Sequence, residues 1–459
     1  MNPSPTIRFN DPEWLTVSER LLDRLRGRIN LIQPPAERRQ VITETLEALC
    51  HEQGNSFEEL LASDQVRRDF ISYFLSYEVI EGFLRDPSIE DILINATEPI
   101  FVHTTGGGLV KTDKHFSTSR ELNLFVNKLI VFGGRTDLEA INNIELADIR
   151  GRVNVVLSPF GPQITITRAK ERPLSVLELI SKGTLTPELA AQLWMYVEGL
   201  SIRPANLIIA GGPGSGKTTL LNALLCFIPK GERLVVIEDT FELNTQFLEQ
   251  CSRLESYGDV TMATLVKNSL RMRPDRILVG EVRGEEARDL MTAMNVGKYC
   301  MGTLHASTAR ETIIRLENEP MNIPETLVNL VDVFVILRRF NIGGKVSRIV
   351  GELVETAGME QRVVLLSPVW SYDYDRRQTV ESSPSSIFRD RLAQASGLSA
   401  GQIMEETTRR AKVLKLMQDN PAFTDAAAMT QFCQLYVANA EAALAQLGTT
   451  LKALGKQRE

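Results

Sequence analysis

Apolar residues along this chain change period several times, and each change marks a change of expected structure. In the first 80 residues the period is helical. Trp14, Leu15, Leu21, Leu22 and Leu25 share one face, and Pro34-Pro35 separates that helix from a second over 41–49. Arg20, Arg24, Arg26 and Arg28 line the remainder of the first helix as a solvated face, with a membrane-surface or partner contact as the alternative. From 81 to 180 the pattern is mixed. Ile92-Leu93-Ile94 and Ile100-Phe101-Val102 predict strands, Gly106-Gly107-Gly108 a hairpin turn, and 117–132 a capped helix. A further strand pair, 153–157 and 163–167, flanks Pro159-Phe160-Gly161-Pro162. Over 181–368, short apolar strands alternate with helical runs, which predicts a mostly parallel sheet covered on both faces. The 327–337 stretch reads as a helix end running into a buried strand. Residues 369–459 begin with polar punctuation, Ser382-Ser383-Pro384-Ser385-Ser386. They end in Ala- and Leu-rich helical sequence over 426–447, without a fixed-period repeat.

At 459 residues the chain has room for two or three domains, each with its own core. A net charge of −7 argues against a constitutive nucleic-acid binder, so no stable nucleic-acid partner is expected. Cys50, Cys226, Cys251, Cys300 and Cys433 are scattered with no C-x-x-C pair, which suggests neither a disulfide framework nor a zinc site and fits a reducing cytosol. Asp11 and Glu13 interrupt the start of the chain, and no signal peptide is expected. No run reaches the roughly 18 apolar residues that span a bilayer.

The chemistry concentrates in Gly211-Gly212-Pro213-Gly214-Ser215-Gly216-Lys217-Thr218-Thr219, which follows the apolar run 206–210 and precedes a helix-compatible run at 220–225. Gly211, Gly216, Lys217 and Thr218 satisfy G-x-x-x-x-G-K-S/T. Glycines in that pattern let backbone N–H groups curl around phosphates, and the helix that follows points its positive end at them. Lys217 would reach the β- and γ-phosphates of ATP, and the Thr218 hydroxyl would ligate Mg²⁺. The bland alternative is a Gly-rich turn with a chance lysine, which the strand-before, helix-after context disfavours.

Three further strands are expected to end beside this loop, since carboxyl ends form the ligand crevice of a parallel sheet. Leu234-Val235-Val236-Ile237 ends in Glu238-Asp239-Thr240, and Arg276-Ile277-Leu278-Val279 ends in Gly280-Glu281-Val282-Arg283. Acids at such positions can also be helix caps, a reading left open for Asp239 and Glu242. At the second strand the aspartate usually associated with the metal is missing, which leaves Glu281 as the carboxylate that binds metal through water or polarises the attacking water. The third strand, 299–303, runs into Leu304-His305-Ala306. His305 is one of four histidines, and its place at a strand end suggests phosphate sensing rather than a structural role.

Taken together, Gly211 to Thr219, Val236 to Thr240, Leu270 to Gly284 and Gly302 to Ala306 resemble the ATPase superfamily of type II and type IV secretion systems and type IV pili. The likeness is nearest to the tight-adherence (Tad) pilus assembly branch, related to the type IV secretion traffic ATPases. It covers about residues 80–365. It implies a P-loop, RecA-like ATPase domain at 181–368, a smaller α/β domain with its linker at 81–180, and helical extensions at 1–80 and 369–459.

By position, the resemblance assigns phosphate and Mg²⁺ binding to Lys217 and Thr218, water polarisation to Glu238, water orientation to Glu281, and γ-phosphate contact or subunit linkage to His305. Arg271, Arg273 and Arg283 occupy the family's arginine positions, and Arg152, in Arg152-Val153-Asn154, matches one that embraces the phosphates on domain closure. Always-charged, bidentate arginine suits charge spread over phosphoryl oxygens. The family's Thr-Ile-Arg-Lys-Phe segment stands here as Thr165-Ile166-Thr167-Arg168-Ala169-Lys170, so Arg168 fits only after a one-residue shift and the aromatic near the base is missing. The four-cysteine zinc insertion of type II enzymes is absent. The implied function is a homo-hexameric cytoplasmic ATPase, peripheral at the inner membrane, that drives a membrane platform protein in pilus assembly or secretion. The alternatives are a conjugation traffic ATPase, a nucleic-acid translocase sharing the core, and a regulator that only senses ATP.

Overall fold

The structure is a computed structural model. It describes residues 8–455, apart from 31–32, 52–56, 105–107, 147–150, 169–172, 258, 343–344 and 419. The chain divides into two compact units, Met1–Glu171 and Arg172–Glu459.

In the first unit, helices Pro12–Leu25, Pro35–Cys50, Asp64–Leu75 and Ser119–Phe132 accompany an antiparallel sheet. Its strands are β1 (Ile89–Asn95), β2 (Phe101–Thr104), β3 (Gly108–Lys111), β4 (Ile141–Leu146), β5 (Gly151–Val156) and β6 (Gln163–Arg168), in the order β3-β2-β1-β6-β5-β4. The predicted apolar helix face is buried: Trp14, Leu21 and Leu25 join one core with Ile92, Ile94 and Ile166, and the Trp14 and Phe70 rings lie 5.1 Å apart. Thr118 caps the fourth helix by accepting from the Glu121 amide. In the arginine row Arg20, Arg24 and Arg28 are exposed and Arg26 is half-buried. Arg26 donates to Asn127 Oδ1 at 2.8 Å, and Arg28 to Thr45 Oγ1 at 2.8 Å. Of the expected glycine turn, 106 and 107 lie outside the described residues and Gly108 opens β3.

The second unit is built on β7 (Leu207–Gly211), β8 (Leu234–Glu238), β9 (Cys251–Glu255), β10 (Arg276–Val279), β11 (Tyr299–Leu304), β12 (Val333–Ile342), β13 (Lys345–Glu360), β14 (Val363–Asp373) and β15 (Gln378–Glu381). Their order is β15-β14-β13-β12-β7-β11-β10-β8-β9. From β12 to β9 every neighbouring pair is parallel, while β13, β14 and β15 add on in antiparallel fashion. The sheet is therefore mixed, with the expected parallel core. Leu207, Ile209 and Val236 join one buried cluster, and their strand neighbours Ile208, Ala210 and Val235 another, so both faces are covered. A long antiparallel edge was not anticipated, and the sheet runs beyond residue 369, where a helical tail was expected to begin. Hairpins joined by short turns let strands continue past the parallel core, and the polar run that read as punctuation, 382–386, lies between β15 and the next helix.

Helices Ile387–Ser396, Ala400–Gln418 and Ala426–Ala438 follow and pack into the first of those clusters through Phe388, Leu414 and Phe432. Two buried polar groups fasten them. The fully buried Glu355 carboxylate accepts from Tyr196 Oη at 2.8 Å, from Ser385 Oγ, and from the amides of Ile387 and Phe388 at 2.9 and 3.3 Å. Arg410 lies between Glu198 and Glu406, at 2.8 and 2.9 Å. Among the described residues no helix is long and apolar enough to cross a membrane.

Candidate functional site

Parallel registers bring four strand ends to one edge: β10 pairs with β8 and β11, and β11 with β7. At that edge the chain leaves β7 through the predicted loop and enters helix Lys217–Leu224. The loop depends on glycine in two ways. Gly214 and Gly216 hold φ of +65° and +97°, which other residues resist. A Cβ on Gly211 would lie 2.4 Å from Ser215 Oγ and 2.8 Å from the Leu337 carbonyl. Gly216 caps the helix without a side-chain acceptor, so the first amides keep the partial positive charge that attracts an anion. Ser215 Oγ is buried and lacks a hydrogen-bond partner. Open amides, an unsatisfied hydroxyl and a nearby ammonium fit a phosphate chain.

Lys217, His305, Glu281 and Arg283 form one connected cluster. Lys217 Nζ lies 3.4 Å from the Gly212 carbonyl and 3.3 Å from His305 Nδ1. An ammonium can only donate, so Nδ1 accepts, and a neutral ring carries its proton on Nε2. That nitrogen lies 2.7 Å from Glu281 Oε1, but without a hydrogen bond's alignment, so this buried oxygen lacks a good donor. The other Glu281 oxygen accepts from Arg283, which also reaches Asp239 Oδ2 at 3.3 Å. Burial alone would raise the Glu281 carboxyl. The Arg283 hydrogen bond and the charges of Arg283, His305 and Lys217 outweigh it and hold the group below the usual carboxylate value. Burial lowers His305, and the charge of Lys217 adds to that effect. Burial also lowers Lys217, with Glu281 opposing. The cluster is therefore poised as a carboxylate, a neutral imidazole and a cation that a phosphate would stabilise.

Glu238 is placed differently from Glu281. Its side chain is 1% exposed, and Oε1 accepts from the Glu242 and Leu243 amides at 2.9 and 3.0 Å, which folds the chain after β8 back on itself. Gly280 leaves room for it, since a Cβ there would lie 2.9 Å from Glu238 Cγ. Burial pushes this carboxyl up to about 7, against the two amides and Arg253. A group raised in the folded state supports folding fully below its ordinary value of 4.5 and loses that contribution as pH rises through about 7. Glu238→Gln keeps an acceptor for both amides. It is expected to gain stability relative to wild type, by up to about 3 kcal/mol, as the medium goes from about pH 5 to about pH 8. Melting curves at the two pH values check this, and a difference that does not change with pH contradicts it.

The remaining candidates divide. Thr218 and Thr219 lie in the first turn of the helix after Lys217, where a hydroxyl can reach a phosphate-bound Mg²⁺. Among the described residues no acid, histidine or cysteine cluster could hold a metal without phosphates. Arg271 and Arg273 precede β10, at the amino end of the strand whose carboxyl end bears Glu281, so they do not join the cluster within this chain. Arg152 faces Glu145 across β4 and β5. Arg168 donates to the carbonyls of Asp86 and Ile89, the latter at 3.1 Å, and is occupied in tying β6 to the start of β1. Asp239 pairs with Arg283 instead of capping a helix. Several supporting residues were not legible beforehand. Glu286 Oε1 accepts from the Arg283 and Gly284 amides, and Thr303 Oγ1 donates to the Gly280 carbonyl at 2.6 Å.

The family profile described as "Type II/IV secretion system protein" matches residues 135–420, which include the loop, the strand-end acids and His305. The chain belongs to the type II/IV secretion system protein family. Conjugal transfer protein TrbB of Rhizobium radiobacter is 30% identical over 278 residues, covering 58% of this chain and 84% of TrbB. An uncharacterised Methanocaldococcus jannaschii protein is 33% identical over 372 residues, covering 76% of this chain; the chain spans 66% of that relative's length. Among solved structures, the pilus retraction motor PilT with bound ADP matches 83% of this chain and 95% of its own, at 19% identity and a TM-score of 0.47.

Proposed function

We propose that this member of the secretion family is a Mg²⁺-dependent ATP hydrolase that works as a cytoplasmic homo-hexameric motor at the inner membrane. The observation that carries the reading is the continuous Lys217–His305–Glu281–Arg283 cluster beside an open phosphate loop. The Thr218 hydroxyl would hold Mg²⁺ at the phosphates, and the ion would supply positive charge there. Lys217 and the loop amides hold the phosphates, and the helix start orients them. Glu281 Oε1 takes a proton-side contact from the attacking water, and Arg283 keeps that carboxylate ionised and aimed. His305 joins Lys217 to Glu281, so a change at the γ-phosphate reaches the carboxylate through one ring. Glu238 holds the strand end that supports them. Arg271 and Arg273, away from the cluster in their own chain, would serve a neighbouring copy, and on domain closure Arg152 would approach the phosphates, joined by Arg168 on giving up its bonds to the Asp86 and Ile89 carbonyls.

The motor would act on an inner-membrane platform protein in Tad-type pilus assembly. Conjugation traffic is the second reading, favoured by the name of the relative TrbB. The test is phosphate release by purified protein, with wild type and Lys217→Ala each run on a sizing column in Mg²⁺-ATP. A hexamer whose turnover vanishes in the variant supports the motor. Turnover equal in both would remove the loop from the mechanism. Closure makes a separate prediction: Arg152→Ala should lower turnover more than about tenfold and ADP affinity by less than about threefold. Equal losses in the two assays would count against the role of Arg152.

A further inference from the structure

β12 lies parallel to β7 with Leu337 opposite Gly211, so the residues after Leu337 continue past the end of β7 and flank the phosphate loop. β13 returns antiparallel and sets Arg348 directly across from Arg339. Facing residues of an antiparallel pair occupy the same side of the sheet. For this pair that side meets the loop. Arg348 Nε donates to the Gly214 carbonyl at 2.9 Å. Its Cδ lies 3.4 Å from where a Cβ on Gly216 would be, and Arg339 Nη1 lies 3.3 Å from the equivalent point on Gly214. The adjacent Arg338 is engaged elsewhere: it packs over Gly351 and donates to the Tyr374 hydroxyl at 2.6 Å.

Charge at this place is unbalanced. Like charges directly opposite one another destabilise a strand pair. Among the described residues neither arginine has a carboxylate partner; Arg348 bonds only to the Gly214 carbonyl and Arg339 to nothing. An anion at the loop would relieve that repulsion. The carbonyl bond has its own consequence. A trans peptide is rigid, with C=O and N–H pointing in opposite directions. Holding the Gly214 carbonyl toward Arg348 therefore turns the Ser215 amide to the opposite side, where it donates to the Gly212 carbonyl at 3.3 Å and fixes the curve of the loop.

We propose that Arg339 and Arg348 form a second cationic wall of the nucleotide site, supplied by the same chain. Arg348 is a positioning residue that sets the Gly214–Ser215 peptide, and Arg339 supplies positive charge to the polyphosphate. This rests on the reading of the loop as a nucleotide site. The ligand class is a nucleoside di- or triphosphate, recognised through its phosphates and not its base.

The experiment is equilibrium binding of fluorescent ATP and ADP analogues, at two salt concentrations, to wild type, Arg339→Ala, Arg348→Ala, Arg348→Lys, the double alanine variant, Arg338→Ala and Lys217→Ala. The double variant should bind both nucleotides about tenfold more weakly or worse, with a shallower salt dependence than wild type. Arg348→Lys should recover part of that loss, and Arg338→Ala should stay within about twofold of wild type. Melting temperatures without nucleotide should not fall, because both side chains are exposed and removing them relieves the repulsion across the strand pair. A double variant that binds like wild type while Lys217→Ala has lost binding overturns this inference alone. Lys217→Ala binding like wild type overturns the nucleotide-loop reading, and the inference falls with it.

Discussion

Glu281→Gln is expected to lower ATP turnover at least about a hundredfold while leaving ATP affinity within a few-fold of wild type. The carboxylate lies beside the phosphate loop and does not form it, so binding through Lys217 and the loop amides survives. What is lost is the charge on an oxygen that lies 2.7 Å from His305 Nε2, without a well-aligned donor of its own. An amide cannot take a proton from water. Its NH₂ would also face the protonated Nε2, pressing His305 toward the tautomer that no longer accepts from Lys217. Steady-state phosphate release and fluorescent-nucleotide titration measure the two quantities separately. A variant that retains a tenth of wild-type turnover removes Glu281 from the water-orienting role. The same cluster sets the acid limb of the pH profile. Glu281 stays ionised below the usual carboxylate value, so the first group to fail on acidification is His305. Its protonation falls below the ordinary histidine range because burial and Lys217 depress it. Turnover should therefore hold through pH 6.5 and fall only below it.

The second large effect concerns stability. Arg410→Ala should destabilise the second unit by about 3–5 kcal/mol, as breaking a buried ion pair from one side does. Arg410 is 3% exposed, lies 4.7 Å from the Trp194 ring centre, and separates Glu198 from Glu406. Burial alone would lower this guanidinium, but the two carboxylates hold it above its ordinary value. Removing it leaves Glu198, itself 1% exposed, facing another carboxylate in apolar surroundings. The cost is that uncompensated charge and not the net worth of the triad. Arg410→Met with Glu198→Gln and Glu406→Gln should therefore recover most of the loss. Urea titrations of the single and triple variants test both statements. A single variant within about 1 kcal/mol of wild type would show that the triad is effectively solvated.

Much of the site was legible because its signals are local. Gly214, Gly216 and Lys217 lie within a few positions of one another, and their demands on φ and on helix placement need no distant partner. Strand-end acids were legible once a parallel sheet was expected, since carboxyl ends share one edge. The α/β alternation followed from period, helical in the first unit's early residues and buried strands alternating with helices in the second, while the P-loop, RecA-like assignment came from the family resemblance. Local signals could not show that Glu238 and Glu281, alike in sequence, differ in surroundings. One is held by amides beneath Gly280 and raised to about 7, and the other is lowered by the Arg283 hydrogen bond and by the neighbouring charges. Nor could they place Arg271 and Arg273 at the wrong end of β10 for their own loop, or show Arg168 bound to backbone carbonyls.

By itself the sequence determined the glycine-rich loop, the parallel core and the strand-end positions of the candidate carboxylates, because turn chemistry and apolar period act over a few residues. Tertiary structure alone decided which polar groups meet. Arg348 reaches Gly214 across 134 positions and Arg410 reaches Glu198 across 212. Such pairs arise where strand pairing and helix packing exclude water, and there a charge must find a partner however far along the chain it lies.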